Sequence, residues 1–175
     1  MKGVFMKLII TFLLSLNLFA FTIHDYTMKS SKGKDVNFED FKGKPIVLVN
    51  IATKCGYTPQ LKDIESFHKK YKDKVVVLGV PSNDFGGQTP ESDKGVAEFC
   101  QRNYGVTFPI MRKTVVKGSD SHPLFKKLKE LNKNQDIQWN FEKFLFNKNG
   151  EFVSNFSSNV NPMDKKFISK TESVL

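Results

Sequence analysis

An α/β fold with a central mixed sheet flanked by helices is predicted from three observations. Residues 45–52 (PIVLVNIA) and 75–80 are continuous apolar runs rich in β-branched residues, the pattern of strands buried on both faces. Each run is followed by a segment with apolar residues at helical spacing. Near the C-terminus, two apolar segments flank Asn147-Lys148-Asn149-Gly150, and an Asn-Gly turn between strands signals a hairpin. Strand, helix, strand, helix, then hairpin and helix is the order of a layered α/β domain.

Each element has its own local reason. Residues 21–43 hold short mixed segments punctuated by Gly33 and Gly43, as expected of an opening hairpin or short strands. After the first buried strand come Thr53, Lys54, Cys55 and Gly56, then Thr58-Pro59. Threonine before proline predicts a helix start, because proline at the first helical position sacrifices no needed N–H. Leu61, Ile64, Phe67, His68 and Tyr71 continue that helix at its period. The second strand runs into a glycine-bearing polar loop, SNDFGGQTP. Residues 92–104 then read as a helix carrying Cys100, 107–111 as an extended piece with Phe108-Pro109, and 122–131 as a helix opened by His122-Pro123. Residues 141–146 and 151–156 form the arms of the hairpin, and 163–175 a closing helix. A cysteine just past a buried strand, at the threshold of a helix, is the arrangement of a thioredoxin-like fold.

Composition narrows the classes. The chain has 175 residues, 39% hydrophobic and 26% charged, which suits one ordinary domain with a single core once a leader is set aside. The formal charge is +9, but its lysines are spread in pairs such as Lys69-Lys70 and Lys126-Lys127. That is the pattern of solvated faces, and with no arginine-rich arm and no nucleic-acid motif, no nucleic-acid partner is expected. A weak contact with an anionic membrane surface stays open. The first twenty residues differ in kind: Lys2 and Lys7 are their only charges, residues 8–19 are almost unbroken apolar, and Ala20 is a small residue suited to cleavage. This predicts a secretory signal peptide over residues 1–20, a mature domain over 21–175, and export to the periplasm. Leu18, bulkier than a cleavage site prefers, is its one flaw. The three histidines, His24, His68 and His122, are scattered, so neither a metal nor a cofactor is expected. No long insertion is present to build an interface, and a monomer is expected.

Chemistry concentrates on the two cysteines, Cys55 and Cys100. Only a thiolate attacks a peroxide oxygen, and an ordinary cysteine is mostly protonated at neutral pH. Lys54 beside Cys55 and the helix start that follows both favour an anion there. A sulfenic acid on Cys55 could condense with Cys100. Two cysteines in an exported chain equally fit a permanent structural disulfide, and Cys100 beside Phe99 equally fits plain packing. Trp139, the single tryptophan, and Asn140 after it can each donate a hydrogen bond to a thiolate or an oxyanion. Either residue, like Gln88 in the polar loop, is also at home in a purely structural role.

Four blocks then coincide. NIATKCGYTPQ (50–60) resembles the peroxidatic segment of the glutathione peroxidase family, and VPSNDFGGQTPES (80–92) its second signature. FCQRNYGVTFPIM (99–111) and IQWNFEKFLFNKNG (137–150) are similar to two further family blocks, in the family's order. The resemblance implies a thiol peroxidase for hydrogen peroxide and organic or lipid hydroperoxides, without a cofactor. Cys55 would be peroxidatic, Gln88, Trp139 and Asn140 would complete a tetrad around its sulfur, and Cys100 would be the resolving cysteine. It also implies recycling by a thioredoxin-like dithiol protein. Direct reduction by glutathione, as in a one-cysteine peroxidase, is the enzymatic alternative, and an exported redox sensor or domain with a structural disulfide the non-enzymatic one. Two departures stand out. Ser82 replaces a cysteine common in the second signature, and Asp84 replaces a glutamine. A carboxylate close to Cys55 would oppose ionisation of the thiol.

Overall fold

The computed structural model describes residues 21–175; the leader predicted over 1–20 lies outside them. The opening segment forms a small antiparallel pair, β1 (Thr27–Lys29) with β2 (Asp35–Asn37), between single 3-10 turns at Ile23–Asp25 and Phe38–Phe41. The rest is built on β3 (Ile46–Ile51), α1 (Gln60–Tyr71), β4 (Val76–Pro81), α2 (Asp93–Tyr104), α3 (Pro123–Leu131), β5 (Lys143–Phe146), β6 (Phe152–Phe156) and α4 (Lys165–Glu172). The four strands form one mixed sheet in the order β4-β3-β5-β6. β3 runs parallel to β4 and antiparallel to β5, and β5 and β6 make the antiparallel hairpin with a register shift at Leu145/Phe146.

Both apolar runs are buried because helices cover both faces of the sheet. Side chains alternate across a strand, so Val47, Val49 and Ile51 pack with α1, α2 and α4 through Leu61, Ile64, Phe67, Val96 and Phe167. Ile46 and Leu48 pack on the other face with Leu124, Phe125 and Leu128 of α3. Phe67 and Phe156 both meet Phe167, with ring centroids 5.2 Å and 4.8 Å apart. Gly79 in β4 marks a place where no side chain fits. A Cβ there would lie 2.8 Å from Ile110 Cδ1 and 3.0 Å from Phe108 Cε2. The absence of a side chain lets the 109–111 segment bond directly to β4, with Gly79 N donating to Pro109 O and Met111 N donating to Gly79 O.

This topology positions the site. The loops after parallel strands β3 and β4 leave the sheet at the same end, and the antiparallel β5 begins there. Three segments therefore meet at one end: the Cys55 loop, the 82–92 loop and the turn at 138–142. Clefts outside the carboxyl ends of strands are where α/β sheets place ligands.

Candidate active site

Cys55 sits in the loop between β3 and α1 and is 7% exposed. Its sulfur accepts a hydrogen bond from the Tyr57 N–H at 3.4 Å. Thr58, expected to open the helix, instead ties this loop together. Its Oγ1 accepts from Cys55 N at 2.9 Å and donates to Ala52 O at 3.0 Å. α1 therefore begins at Gln60, with Pro59 in the capping position and no side-chain cap. Lys54 turns to a carboxylate: its ammonium lies 3.9 Å from the Glu91 carboxylate, which also accepts from Thr53 Oγ1 at 2.5 Å.

Gln88 is held against the Cys55 loop by its backbone. Its carbonyl accepts from Thr53 N (3.2 Å) and Lys54 N (2.9 Å), the two residues before Cys55. Its side-chain Oε1 accepts from Asn140 Nδ2 at 2.9 Å, so two of the residues singled out from the sequence touch. Asn140 is fully buried, and its Oδ1 has no hydrogen-bond partner among the described residues. A buried acceptor left unpaired is costly unless a ligand or water completes it. Trp139 is 41% exposed, unusual for so large a side chain, and its ring lies 5.7 Å from Phe85. A cavity of about 520 Å³ opens beside it, with Tyr57, Gln138, Glu142 and Ser158 among its lining.

The Asp84 carboxylate accepts from the N–H groups of Val116 (2.6 Å) and Lys117 (3.3 Å). It fastens one loop to another, and the charge expected to oppose Cys55 is spent on those amides. Ser82 is buried, and its Oγ accepts from Asp84 N at 3.2 Å, within the same loop. Glu142, absent from the sequence reading, is 3% exposed, with its carboxyl pushed up by burial and drawn back by the Gln138 and Trp139 amides. Lys143 is fully buried and donates to Gln60 Oε1, Ser158 O and Val160 O; burial lowers its ammonium to about 8.

Cys100 faces the core from α2 at 1% exposure, in the same apolar cluster as Cys55. Both are free thiols. Desolvation, with a smaller push from Glu91, raises the Cys100 thiol to about 12.

The sequence profile described as glutathione peroxidase matches residues 23–129. The chain belongs to the glutathione peroxidase family. That match contains Cys55, Gln88 and Cys100 and ends before Trp139. The chain is 50% identical over 134 residues to the glutathione peroxidase-like peroxiredoxin GPX5 of Chlamydomonas reinhardtii, covering 74% of this chain and 83% of that one. Among solved structures it is similar to Trgpx in its apo form, with TM-score 0.69, 34% identity and coverage of 87% and 97%. It also shares its fold with a thioredoxin family protein from Chlorobium tepidum, at TM-score 0.63 and 16% identity over 85% of this chain and 92% of that one. The thioredoxin-like α/β reading of the sequence holds.

Proposed function

We propose that this glutathione peroxidase family member reduces hydroperoxides through Cys55, with Gln88, Trp139 and Asn140 as its catalytic partners. The observation that carries the reading is a chain of hydrogen bonds that joins the Cys55 loop to the loop of Gln88 and the turn of Asn140 at one end of the sheet. Cys55 Sγ receives the Tyr57 amide, the two preceding amides hold Gln88, and Gln88 holds Asn140. In the first step the Cys55 thiolate attacks the distal peroxide oxygen and the O–O bond breaks. Cys55 becomes sulfenic acid, and the leaving alkoxide takes a proton to become the alcohol. The free Asn140 Oδ1 is available to the hydroperoxide O–H, and the Trp139 indole N–H to the developing negative charge. Four relatives carry the word peroxiredoxin in their names, and thiol-based turnover of this kind needs no cofactor.

The Cys55 sulfenic acid then condenses with the Cys100 thiol, releasing water and forming a disulfide. A thioredoxin-like dithiol reduces it by exchange and leaves as a disulfide itself. One observation favours the second reading, direct reduction by glutathione: Cys100 is buried and its thiol is held at about 12. The lysine-flanked apolar start over residues 1–20 supports export to the periplasm, which makes an exported dithiol protein the fitting reductant. The test is steady-state peroxide turnover by wild type, Cys55→Ser and Cys100→Ser, with a thioredoxin-like protein and with glutathione. Loss of all turnover in Cys55→Ser, and of only the dithiol-driven turnover in Cys100→Ser, is expected. Turnover by Cys55→Ser equal to wild type would overturn the assignment of the sulfur.

A further inference from the structure

Asn50 is the single polar residue of β3, and it is fully buried. Its backbone and side-chain polar groups all turn to one short segment, residues 139–142. Its carbonyl accepts from Phe141 N at 2.7 Å, and its N–H donates to Glu142 O at 3.2 Å. From its side chain, Oδ1 accepts from Glu142 N at 2.8 Å and Nδ2 donates to Trp139 O at 3.1 Å. The segment it grips contains Phe141 at φ 66°, a left-handed conformation that a bulky residue rarely adopts. Strain of this kind persists only where the surroundings over-determine it. Glu142 adds a second pin, its Oε1 accepting from Gln138 N at 2.6 Å.

An apolar residue at position 50 would serve the sheet and the core equally well, since the backbone bonds to Phe141 and Glu142 do not need the side chain. What only the carboxamide supplies is one donor and one acceptor aimed at opposite ends of the strained turn. We propose that Asn50 is a positioning residue for the peroxide reaction. It holds the turn in the conformation that sets the Trp139 indole and the Asn140 amide against the Cys55 loop, and it acts through them without touching substrate. The inference rests on the peroxidase reading above.

The test compares wild type, Asn50→Leu, Leu128→Ala and Cys55→Ser. Leu128 is an apolar core residue of α3, outside the 139–142 segment, and serves as a control for simple loss of stability. Three quantities are read on the reduced proteins: the second-order rate of oxidation by hydrogen peroxide, the rate of alkylation of Cys55 by iodoacetamide, and acrylamide quenching of Trp139. Trp139 is the single tryptophan, so its emission reports the turn directly. Asn50→Leu is expected to slow peroxide oxidation about 10- to 100-fold, the scale of a misplacement near 1 Å. Alkylation, which needs the sulfur but not the turn, is expected to change less than about 3-fold, and quenching to increase. Leu128→Ala is expected to leave both rates within about 2-fold. Peroxide oxidation of folded Asn50→Leu at the wild-type rate overturns the proposal, as does an equal fall in both rates. If Asn50→Leu does not fold, Asn50→Ser, neutral and too short to make both bonds, is read by the same criteria. Equal oxidation of Cys55→Ser and wild type sinks the peroxidase reading instead, a different result from either of these.

Discussion

Replacing Ser92 by alanine is expected to speed the sealing of Cys55 to Cys100 while leaving the peroxide step unchanged. Ser92 caps α2, its Oγ accepting from Gly95 N at 3.2 Å. Cys100 on that helix is 1% exposed, and its thiol is raised from 9.0 to about 12. Lifting it by that much cuts the reactive thiolate about a thousand-fold at neutral pH, equivalent to roughly 4 kcal/mol. A transient opening of α2 that costs less than this is the faster route to the disulfide, because the exposed thiol recovers its ordinary ionisation. Loss of an N-cap serine costs a helix about 1 kcal/mol. The opened population, and with it the rate of disulfide formation, then rises about 5-fold, since ~1.4 kcal/mol is a factor of ten. The assay is quenched flow after one equivalent of hydrogen peroxide, with free thiols alkylated and the Cys55–Cys100 disulfide counted by mass spectrometry. Unchanged or slower disulfide formation in Ser92→Ala, with Cys55 oxidised at the wild-type rate, would refute resolution through an opened α2.

Three further outcomes follow from the same structure. Gly79→Ala is expected to lose about 1–3 kcal/mol in urea denaturation, because its Cβ would overlap Ile110 and Phe108; unchanged stability would show that the 108–110 segment gives way freely. Asp84→Asn is expected to change the peroxide rate less than about 3-fold, since the carboxylate is engaged with Val116 and Lys117, and a large acceleration would show that its charge does reach Cys55. For Lys143 the folded ammonium is lowered to about 8 from 10.5, chiefly by desolvation. Between those values the unfolded chain binds the extra proton, so this group's contribution to stability rises with pH across the window and is lost as pH falls through about 8. Lys143→Met is expected to flatten that rise between pH 8 and 10.5, and to cost about 1–3 kcal/mol for acceptors left unpaired at Gln60 Oε1 and Val160 O. An identical stability–pH profile in the variant would contradict it.

What could be read from the sequence was local. PIVLVNIA declares a buried strand through its own residues, Ser92 opens α2 as a serine should, and Asn147 to Gly150 closes the hairpin of β5 and β6. The strand-to-helix setting of Cys55 follows from the same short-range signals. What could not be read depends on partners far along the chain. Lys54 pairs with Glu91, and Asp84 is spent on amides 32 and 33 residues away. Thr58 looked like a helix cap, but its hydroxyl faces Cys55 and Ala52 because the loop turns back before α1 starts. β5 begins at Lys143 and not at Phe141, because Phe141 leaves extended geometry to make the tight turn beside Asn50. The sequence did carry one unused sign of this: a lone asparagine inside an apolar strand needs buried partners, and here they are Trp139 and Glu142.

The most direct test of the account asks which sulfur meets the peroxide. Reduced protein is mixed with substoichiometric hydrogen peroxide for milliseconds in the presence of a sulfenic-acid trap, then digested and mapped by mass spectrometry. The account expects the adduct on Cys55, formed far faster than on free cysteine, with Cys100 unmodified. An adduct on Cys100, or a Cys55 adduct formed no faster than on free cysteine, would contradict it.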